Sequence, residues 1–204
     1  MAQQDLGAPA SNINDQITRA NTLGLMCQCK NGEWVRTPGA SPIQTTMTLN
    51  LMYGTLIVPA RDCTVDQLAV NVIATGVTSV IRAGLYSVTF DTNNAMSASL
   101  LSDGGTQAST STGVKTYTLG TAQALKYGKM YMVVAVTQSG SGNPAIHFVH
   151  PPNGGMSFST SAIALGTTGL AGWQVASVSG ALPSTPTFVT AASSLPVLGF
   201  HCSA

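Results

Sequence analysis

The side chains with the most distinctive chemistry are the four thiols, Cys27, Cys29, Cys63 and Cys202. Thiolate and imidazole are ligands that zinc favours, so these cysteines and His201 form one candidate metal set. The set lacks the Cys-x-x-Cys spacing of a zinc knuckle, and its members would have to converge from distant segments. We therefore expect no metal and no cofactor.

The cysteines could instead form disulfides or stay as reduced thiols. Cys27 and Cys29 are a poor pair, because residues i and i+2 of a strand lie about 6.5–7 Å apart. Bonds to Cys63, to Cys202 or to a neighbouring subunit stay open, and if oxidation occurs we expect at least one bond between chains. The N-terminus has no basic start or apolar segment typical of a secretory signal, which favours reduced thiols packed as small hydrophobes at an interface.

Groups that could carry catalysis are sparse. His147 and His150 are three residues apart and would fall on opposite faces of a strand. Gly155-Met-Ser-Phe-Ser159 lacks the last glycine of a nucleophile elbow. A glycosidase pair would have to come from Glu33, Asp62, Asp66, Asp91 and Asp103. Of these, Asp66 and Asp103 are more simply turn formers, and we expect a protein that is not an enzyme.

Aromatic residues suggest either a sugar-stacking platform or the core and rim of a sandwich. The candidates for the platform are Tyr53, Tyr86, Tyr127, Tyr131 and Trp173. Trp34 stands apart, because it follows an Asn-Gly turn beside two cysteines. We expect Trp34 to be buried by the rest of the protein or by a neighbouring subunit.

Composition excludes several classes of protein. Only 7% of the 204 residues are charged, whereas about 25% is typical. The eight basic residues are scattered along the chain, so we expect no nucleic-acid partner, which would need clustered Lys and Arg. The longest apolar run, Met130–Val136, is far shorter than the roughly 18 residues of a spanning helix. A hydrophobic content of 44% is sufficient for a core.

The N-terminal part of the chain predicts an arm and a hairpin. Residues 1–22 show no hydrophobic periodicity, and we expect at most one helical turn after Ser11. Leu25–Lys30, Asn31-Gly32 and Glu33–Thr37 have the form strand, turn, strand. Asn-Gly is typical of a type I′ turn, which would place Cys27, Cys29, Trp34 and Arg36 on one face.

From Ile43 onward the pattern predicts an antiparallel β-sandwich, because short apolar strands alternate with Gly, Asn and Pro turns. Two of these turns are Asp91-Thr-Asn-Asn and Ser102-Asp-Gly-Gly105, and Thr106–Gly113 is predicted to be a loop. We therefore divide the chain into an arm and hairpin, 1–42, and a jelly-roll-like sandwich, 43–204. The predicted strands are Met47–Val58, Val65–Ala74, Val80–Val88, Lys115–Leu119, Met130–Thr137, Ala145–Val149, Phe158–Ala164, Trp173–Val178 and Leu195–His201.

The middle of the chain resembles a known family. Its segments are Val80-Ile-Arg-Ala-Gly-Leu-Tyr86, Leu100-Leu-Ser-Asp-Gly-Gly-Thr106, Ser111-Thr-Gly-Val-Lys115 and Leu125-Lys-Tyr-Gly-Lys-Met-Tyr-Met-Val-Val134. This order resembles the jelly-roll domain of virion proteins of tailed bacteriophages, over roughly Leu51–Val136. The resemblance implies a jelly-roll fold and a place in the particle, as a tail, neck or capsid-surface protein.

The resemblance and the depleted charge together lead us to expect a non-enzymatic virion protein made in the bacterial host cytoplasm. Its expected partners are copies of itself and other virion proteins, with no membrane insertion. Residues 1–42 are expected to attach it and to form the homo-oligomer. The alternative is a carbohydrate-binding module or adhesin that recognises host surface glycans, which the same fold supports.

Overall fold

The computed structural model describes residues 26–37, 42–92, 95–149, 170–192 and 195–203. These residues contain strands, turns and extended segments, and no helix among them is long and apolar enough to cross a membrane. In chain order the strands are β1 (Met26–Cys27), β2 (Glu33–Arg36), β3 (Pro42–Thr46), β4 (Met52–Pro59), β5 (Cys63–Ala74), β6 (Val80–Phe90), β7 (Met96–Ala108), β8 (Gly113–Leu125), β9 (Met130–Gln138), β10 (Ala145–Val149), β11 (Leu170–Val175), β12 (Val189–Ala192), β13 (Leu195–Pro196) and β14 (Leu198–Ser203).

Two sheets pack against each other, and the predicted all-β antiparallel sandwich is confirmed. The first sheet has the order β12-β11-β4-β9-β6-β7, with the short β1 pairing in parallel with the end of β4. The second has the order β13-β10-β5-β14-β2, with β3 against β10 and β8 against β5. The predicted strand Phe158–Ala164 lies outside the described residues.

Strand β7 corrects the prediction of a turn at Ser102–Gly105 and a loop at Thr106–Gly113. The strand runs through the predicted turn and into the predicted loop as far as Ala108, and only residues 109–112 remain as the connection to β8. The reason is that Gly104, which has no Cβ, allows β7 to lie close to Ala83 of β6 and Tyr117 of β8. A Cβ at Gly104 would lie 2.9 Å from Tyr117 Cβ and 3.1 Å from the Ala83 carbonyl oxygen. The Asp-Gly-Gly sequence is typical of a turn, but here it lies within a strand, where glycine allows neighbouring strands to approach closely.

The predicted N-terminal hairpin is wrong in its pairing. Met26–Cys27 pairs with Val58–Pro59 in the first sheet, whereas Glu33–Arg36 pairs with β14 in the second. The turn itself is present, because Glu33 N donates to the Lys30 carbonyl at 3.0 Å. Gly32 has φ of +77° and Asn31 is not in the positive-φ region. That pattern is typical of a type II turn, and a type I′ turn would need positive φ at both positions.

The predicted common face of the hairpin is also wrong. Cys27 and Cys29 are buried, whereas Trp34 and Arg36 are exposed. Strands on either side of residue 42 are thus hydrogen-bonded into the same sandwich. The predicted arm, 1–22, lies outside the described residues, and its attachment role stays a prediction.

The core between the sheets explains the period-two pattern of the second sheet. From the first sheet it contains Ile57, Leu85 and Val133, and from the second Leu68, Phe148 and Phe200. The first sheet, however, also buries its opposite face. The buried residues there include Met52, Leu56, Tyr86, Met132, Val134 and Val136. Because β4 and most of β9 are buried on both faces, they appear in the sequence as continuous apolar runs.

Residues 176–188, the covering segment, lie over this opposite face. Val178, Leu182 and Phe188 of the covering segment pack into the cluster. Leu182 lies directly over Gly84 of β6, where an added Cβ would overlap the Leu182 Cδ1. Glycine at position 84 therefore makes room for the segment that covers the sheet.

A polar network fixes the covering segment to the sheet. Arg82 Nη1 pairs with Asp103 Oδ2 at 2.6 Å, and the same oxygen accepts a bond from Leu182 N at 3.1 Å. Tyr86 Oη donates to the Pro183 carbonyl at 2.8 Å. Buried Gln138 donates to the Val178 and Gly180 carbonyls and accepts from Arg82 Nε.

We predict that Gly84→Ala destabilises the protein by about 1–3 kcal/mol, because the new methyl group must displace Leu182. Gly120→Ala on β8 is the matched control, since a Cβ there meets nothing within 4 Å and φ is not positive. The control should be neutral or stabilising by about 0.5 kcal/mol. Urea unfolding of both variants measures the difference, and equal midpoints would contradict the tight contact.

Tyr86 and Tyr117 are fully buried, and their burial predicts how the stability of the protein depends on pH. Burial raises the pKa of Tyr86, as does the charge of Asp103 to a smaller extent, and burial raises the pKa of Tyr117. A folded-state pKa above the unfolded value of about 10 gives stability that is present at neutral pH and is lost as pH rises above 10. In an absorbance titration, we expect Tyr86 and Tyr117 to ionise only as the chain unfolds, and Tyr86→Phe should reduce by one the number of tyrosines that ionise on unfolding. Ionisation of all five tyrosines before the loss of near-UV circular dichroism would contradict this.

Candidate functional site

Three cysteines from distant parts of the chain meet at one end of the sandwich. Cys29 lies between β1 and β2, Cys63 begins β5, and Cys202 is in β14. The register explains the meeting, because Cys202 pairs with Val65, two positions from Cys63. Gly32 N donates to the Cys202 carbonyl at 2.6 Å, which brings the turn that follows Cys29 against the end of β14.

These three side chains, called here the thiol trio, have sulfur atoms that all lie within 4.8 Å of one another. All three are buried, as is Cys27. No disulfide links the four cysteines, each of which belongs to the described part of the chain. Burial of every thiol is unfavourable for a bond to a neighbouring chain.

The electrostatics of the trio are shared among its members. Hydrogen bonds from the thiols of Cys29 and Cys63 lower the pKa of Cys202, against the effect of burial. The hydrogen bond to Cys202 in turn raises the pKa of Cys29 and of Cys63, and burial adds to both. Burial raises the pKa of Cys27 to about 12. Burial thus opposes ionisation of every member of the trio, and the three thiols also interact with one another.

Of the two basic side chains near the trio, Arg61 lies beside it and His201 points away from it. Arg61 Nε donates to the Cys29 carbonyl, and its charge favours the thiolate form of Cys63 and Cys202. His201 is adjacent to Cys202 in β14, so its side chain lies on the other face of the sheet. There its Nδ1 lies 2.7 Å from Asp66 Oδ1. Of the five candidate ligands, the fold brings three together and places His201 elsewhere.

Trp34 lies on the strand β2, which pairs with β14 at one edge of the second sheet. Its ring centroid is 5.3 Å from that of His201. The side chain is still 47% exposed. The expected burial of Trp34 by the rest of the protein is therefore only half achieved within one chain.

The other candidate groups are dispersed. His147 is half-buried in β10, opposite Gln44. His150 and the segment 155–159 lie outside the described residues. Each candidate acidic residue accepts its own hydrogen bond: Glu33 from Lys30, Asp62 from Lys126 and Tyr127, Asp66 with His201, Asp91 from Ala95, and Asp103 from Arg82, Gly105 and Leu182.

The five aromatic residues of the supposed sugar platform do not share a surface. Tyr53 and Tyr131 lie in the core between the sheets. Tyr86 and Trp173 lie on the opposite face of the first sheet. Tyr127 is exposed, in the turn between β8 and β9.

Sequence reasoning missed the convergence of the trio and the polar network under the covering segment. The signal for the trio is weak, because its convergence depends on the pairing of β14 with β5 and on the contact of Gly32 with Cys202 rather than on spacing. Chemically, three soft, buried sulfur atoms can form one disulfide with a third thiol left over, or can bind a thiophilic cation together.

Comparison with known proteins gives only distant structural likenesses. No protein-family model matches the chain, and no curated protein matches it. One similar structure is the clostridial cysteine protease Cwp84 after propeptide cleavage, with 11% identity and a TM-score of 0.42 over 84% of this chain and 41% of that one. Another contains the cysteine protease and lectin-like domains of Cwp84, a surface layer associated protein of Clostridium difficile, with 10% identity and a TM-score of 0.36 over 82% of this chain and 37% of that one. The chain thus spans about two fifths of these proteins, and neither likeness bears on activity.

We predict that all four thiols of the reduced native chain react slowly with a maleimide reagent, because their side chains are buried. In urea, four labels per chain should be added at once, and mass spectrometry counts them. Gels without reductant should show single chains. Rapid native labelling, or a reductant-sensitive dimer, would contradict the buried arrangement.

Proposed function

We propose that this chain is a non-enzymatic structural subunit of a tailed-bacteriophage particle, which contacts copies of itself and other virion proteins. The resemblance of residues 51–136 supports this proposal, since its motif residues have structural roles. Arg82 and Asp103 form the ion pair of the polar network, and Gly84 and Tyr86 contact the covering segment.

The observation that carries the proposal is the distribution of charge. One end of the sandwich, called here the neutral end, consists of the described residues 47–51, 75–79, 109–113, 139–144 and 176–180. No Asp, Glu, Lys or Arg occurs in these five segments. Val77 in this end is 63% exposed, and Leu49 is also exposed. Val114, next to it on β8, is 66% exposed.

Backbone contacts join these segments into one surface. Asn50 N donates to the Thr137 carbonyl, and the Asn50 carbonyl accepts from Val178 N. Gly76 N donates to the Ser109 carbonyl, and Val77 forms a β-bridge with Ser141. At the rim, Lys115 on β8 donates to Ser111.

The opposite end of the sandwich carries the charges instead. Residues there include Lys30, Glu33, Arg61, Asp62, Lys126 and Lys129. Burying the neutral end against another subunit would remove apolar side chains from water without removing charges, which is favourable. The charged end, by contrast, suits solvent. We therefore assign the subunit contact to the neutral end, and an additional attachment role for residues 1–22 stays a prediction.

The carbohydrate-binding alternative would need exposed rings for stacking. Among the described aromatic residues, Trp34 and Tyr127 are the markedly exposed ones. They belong to different elements, β2 and the turn between β8 and β9. A glycan array tests this alternative directly, because a structural subunit should show no saturable sugar binding.

The variant Val77→Lys tests the proposal by placing a charge in the neutral end. Tyr127→Lys is the matched control, because Tyr127 is 48% exposed at the opposite end. We expect Val77→Lys to lower incorporation of the chain into particles at least about tenfold, which corresponds to 1.4 kcal/mol of contact free energy. Tyr127→Lys should incorporate normally. Quantitative mass spectrometry of purified particles measures both, and circular dichroism confirms folding.

Two results would overturn the proposal. One is absence of the wild-type chain from purified particles. The other is saturable binding to a defined glycan that Tyr127→Lys or Trp34→Ala abolishes, which would favour the adhesin alternative. If the chain is present but Val77→Lys and Tyr127→Lys incorporate equally, the contact does not lie at the neutral end.

A further inference from the structure

We propose that the thiol trio, Cys29, Cys63 and Cys202, binds one zinc ion. This site is independent of the proposed function and lies at the charged end of the sandwich, away from the neutral end. Zinc is bound by cysteine thiolates in structural sites, where it contributes directly to folding free energy. The inference rests on the position of three sulfur atoms that the strand pairings bring together.

The spacing of the trio is close to what zinc requires. With Zn–S bonds of about 2.3 Å, the sulfur atoms of a tetrahedral site are about 3.8 Å apart, and the trio would supply three of the four ligands, with a water molecule as the fourth. All three sulfur atoms of the trio lie within 4.8 Å of one another. On binding, thiol protons still present are released to the buffer.

A disulfide accounts for the trio less well than a cation does. One S–S bond would use two of the sulfur atoms and leave the third buried beside it. A cation contacts all three at once, and the nearby Arg61 guanidinium offsets the net negative charge of a zinc ion with three thiolates. Three mutually adjacent buried thiols are thus an arrangement that suits a thiophilic cation.

The three ligands are also held in place before any ion arrives. Cys29 is fixed by Arg61 on its carbonyl. Cys63 pairs with Leu125 of β8, and Cys202 pairs with Val65 and accepts from Gly32 N. Backbone anchoring of each ligand lowers the entropy that binding must remove.

Two nearby groups are excluded from the ligand set. His201 lies on the opposite face of β14, in contact with Asp66. Cys27 is as deeply buried as Cys29, but its sulfur atom lies outside the group of three. Cys27 is therefore a matched control: a buried cysteine in the same neighbourhood that the site does not need.

The test uses the full chain, reduced and freed of metal with a chelator. Zinc chloride is titrated in competition with a chromophoric chelator, and cobalt(II) is added separately as a spectroscopic probe of thiolate ligation. We expect one zinc per wild-type chain, a sulfur-to-cobalt charge-transfer band, and a rise in Tm that chelator reverses. Cys29→Ser, Cys63→Ser and Cys202→Ser should each weaken zinc binding more than about 100-fold, beyond what loss of an outer-shell partner costs. Cys27→Ser should bind one zinc as the wild type does.

Each outcome bears on the proposal. Native near-UV circular dichroism in the reduced wild type, with no zinc bound and no cobalt charge-transfer band, would overturn it. Equal loss of binding in Cys27→Ser and the trio variants would also overturn the three-ligand assignment. If a trio variant does not fold, the cobalt spectrum of the wild type still decides whether thiolates bind the metal. Incorporation into particles is a separate measurement, so failure of the zinc site and failure of the structural role are distinguishable.

Discussion

The first sheet is apolar on both faces, and the rest of the fold depends on covering both. One face is covered by the second sheet, as in any sandwich. The other is covered by a single extended segment, residues 176–188, which has no regular pairing of its own with the sheet. Such a segment has many backbone polar groups to satisfy, and the sheet supplies partners through Asp103, Tyr86 and Gln138. Arg82 in turn holds Asp103 and Gln138. The ion pair of Arg82 and Asp103 is therefore placed where the covering segment meets the sheet.

The other charged side chains of the molecule contribute less to its stability. Of the described ionic contacts, those of Arg82 with Asp103 and of His201 with Asp66 are partly buried, whereas those of Lys30 with Glu33 and Lys126 with Asp62 are exposed. Exposed pairs contribute little to stability, so the folding free energy comes mainly from the two apolar clusters. Because stability does not depend on surface ion pairs, charged side chains can be absent from the neutral end and concentrated at the opposite end of the sandwich.

The sequence predicts the fold class well, because the alternation in β5 and the apolar run in β9 are local patterns. It also predicts that Asn31-Gly32 forms a turn, but not where the flanking strands go, since pairing with β4 and with β14 depends on residues far along the chain. The sequence predicts a turn at Gly104 because glycine is common in turns. Glycine also allows close packing between strands, and the sequence alone does not distinguish the two roles. The sequence offers four cysteines and His201 as one candidate set, but it does not show which of them meet, since Cys29, Cys63 and Cys202 are brought together by the register of β14 against β5 and by the turn at Gly32.

Strand β14 lies between β5 and β2, and Leu198 N bonds to Thr37 Oγ1, 161 residues away along the chain. During synthesis, β2 leaves the ribosome early but has no described partner until residues 198–203 have emerged. The first sheet can assemble in part from neighbouring strands such as β6 and β7, whereas the centre of the second sheet must wait. Contacts of such long range are closed late and slowly. The chain therefore has a long interval in which one edge of β5 is open to other molecules, and an exposed strand edge of this kind is prone to aggregate.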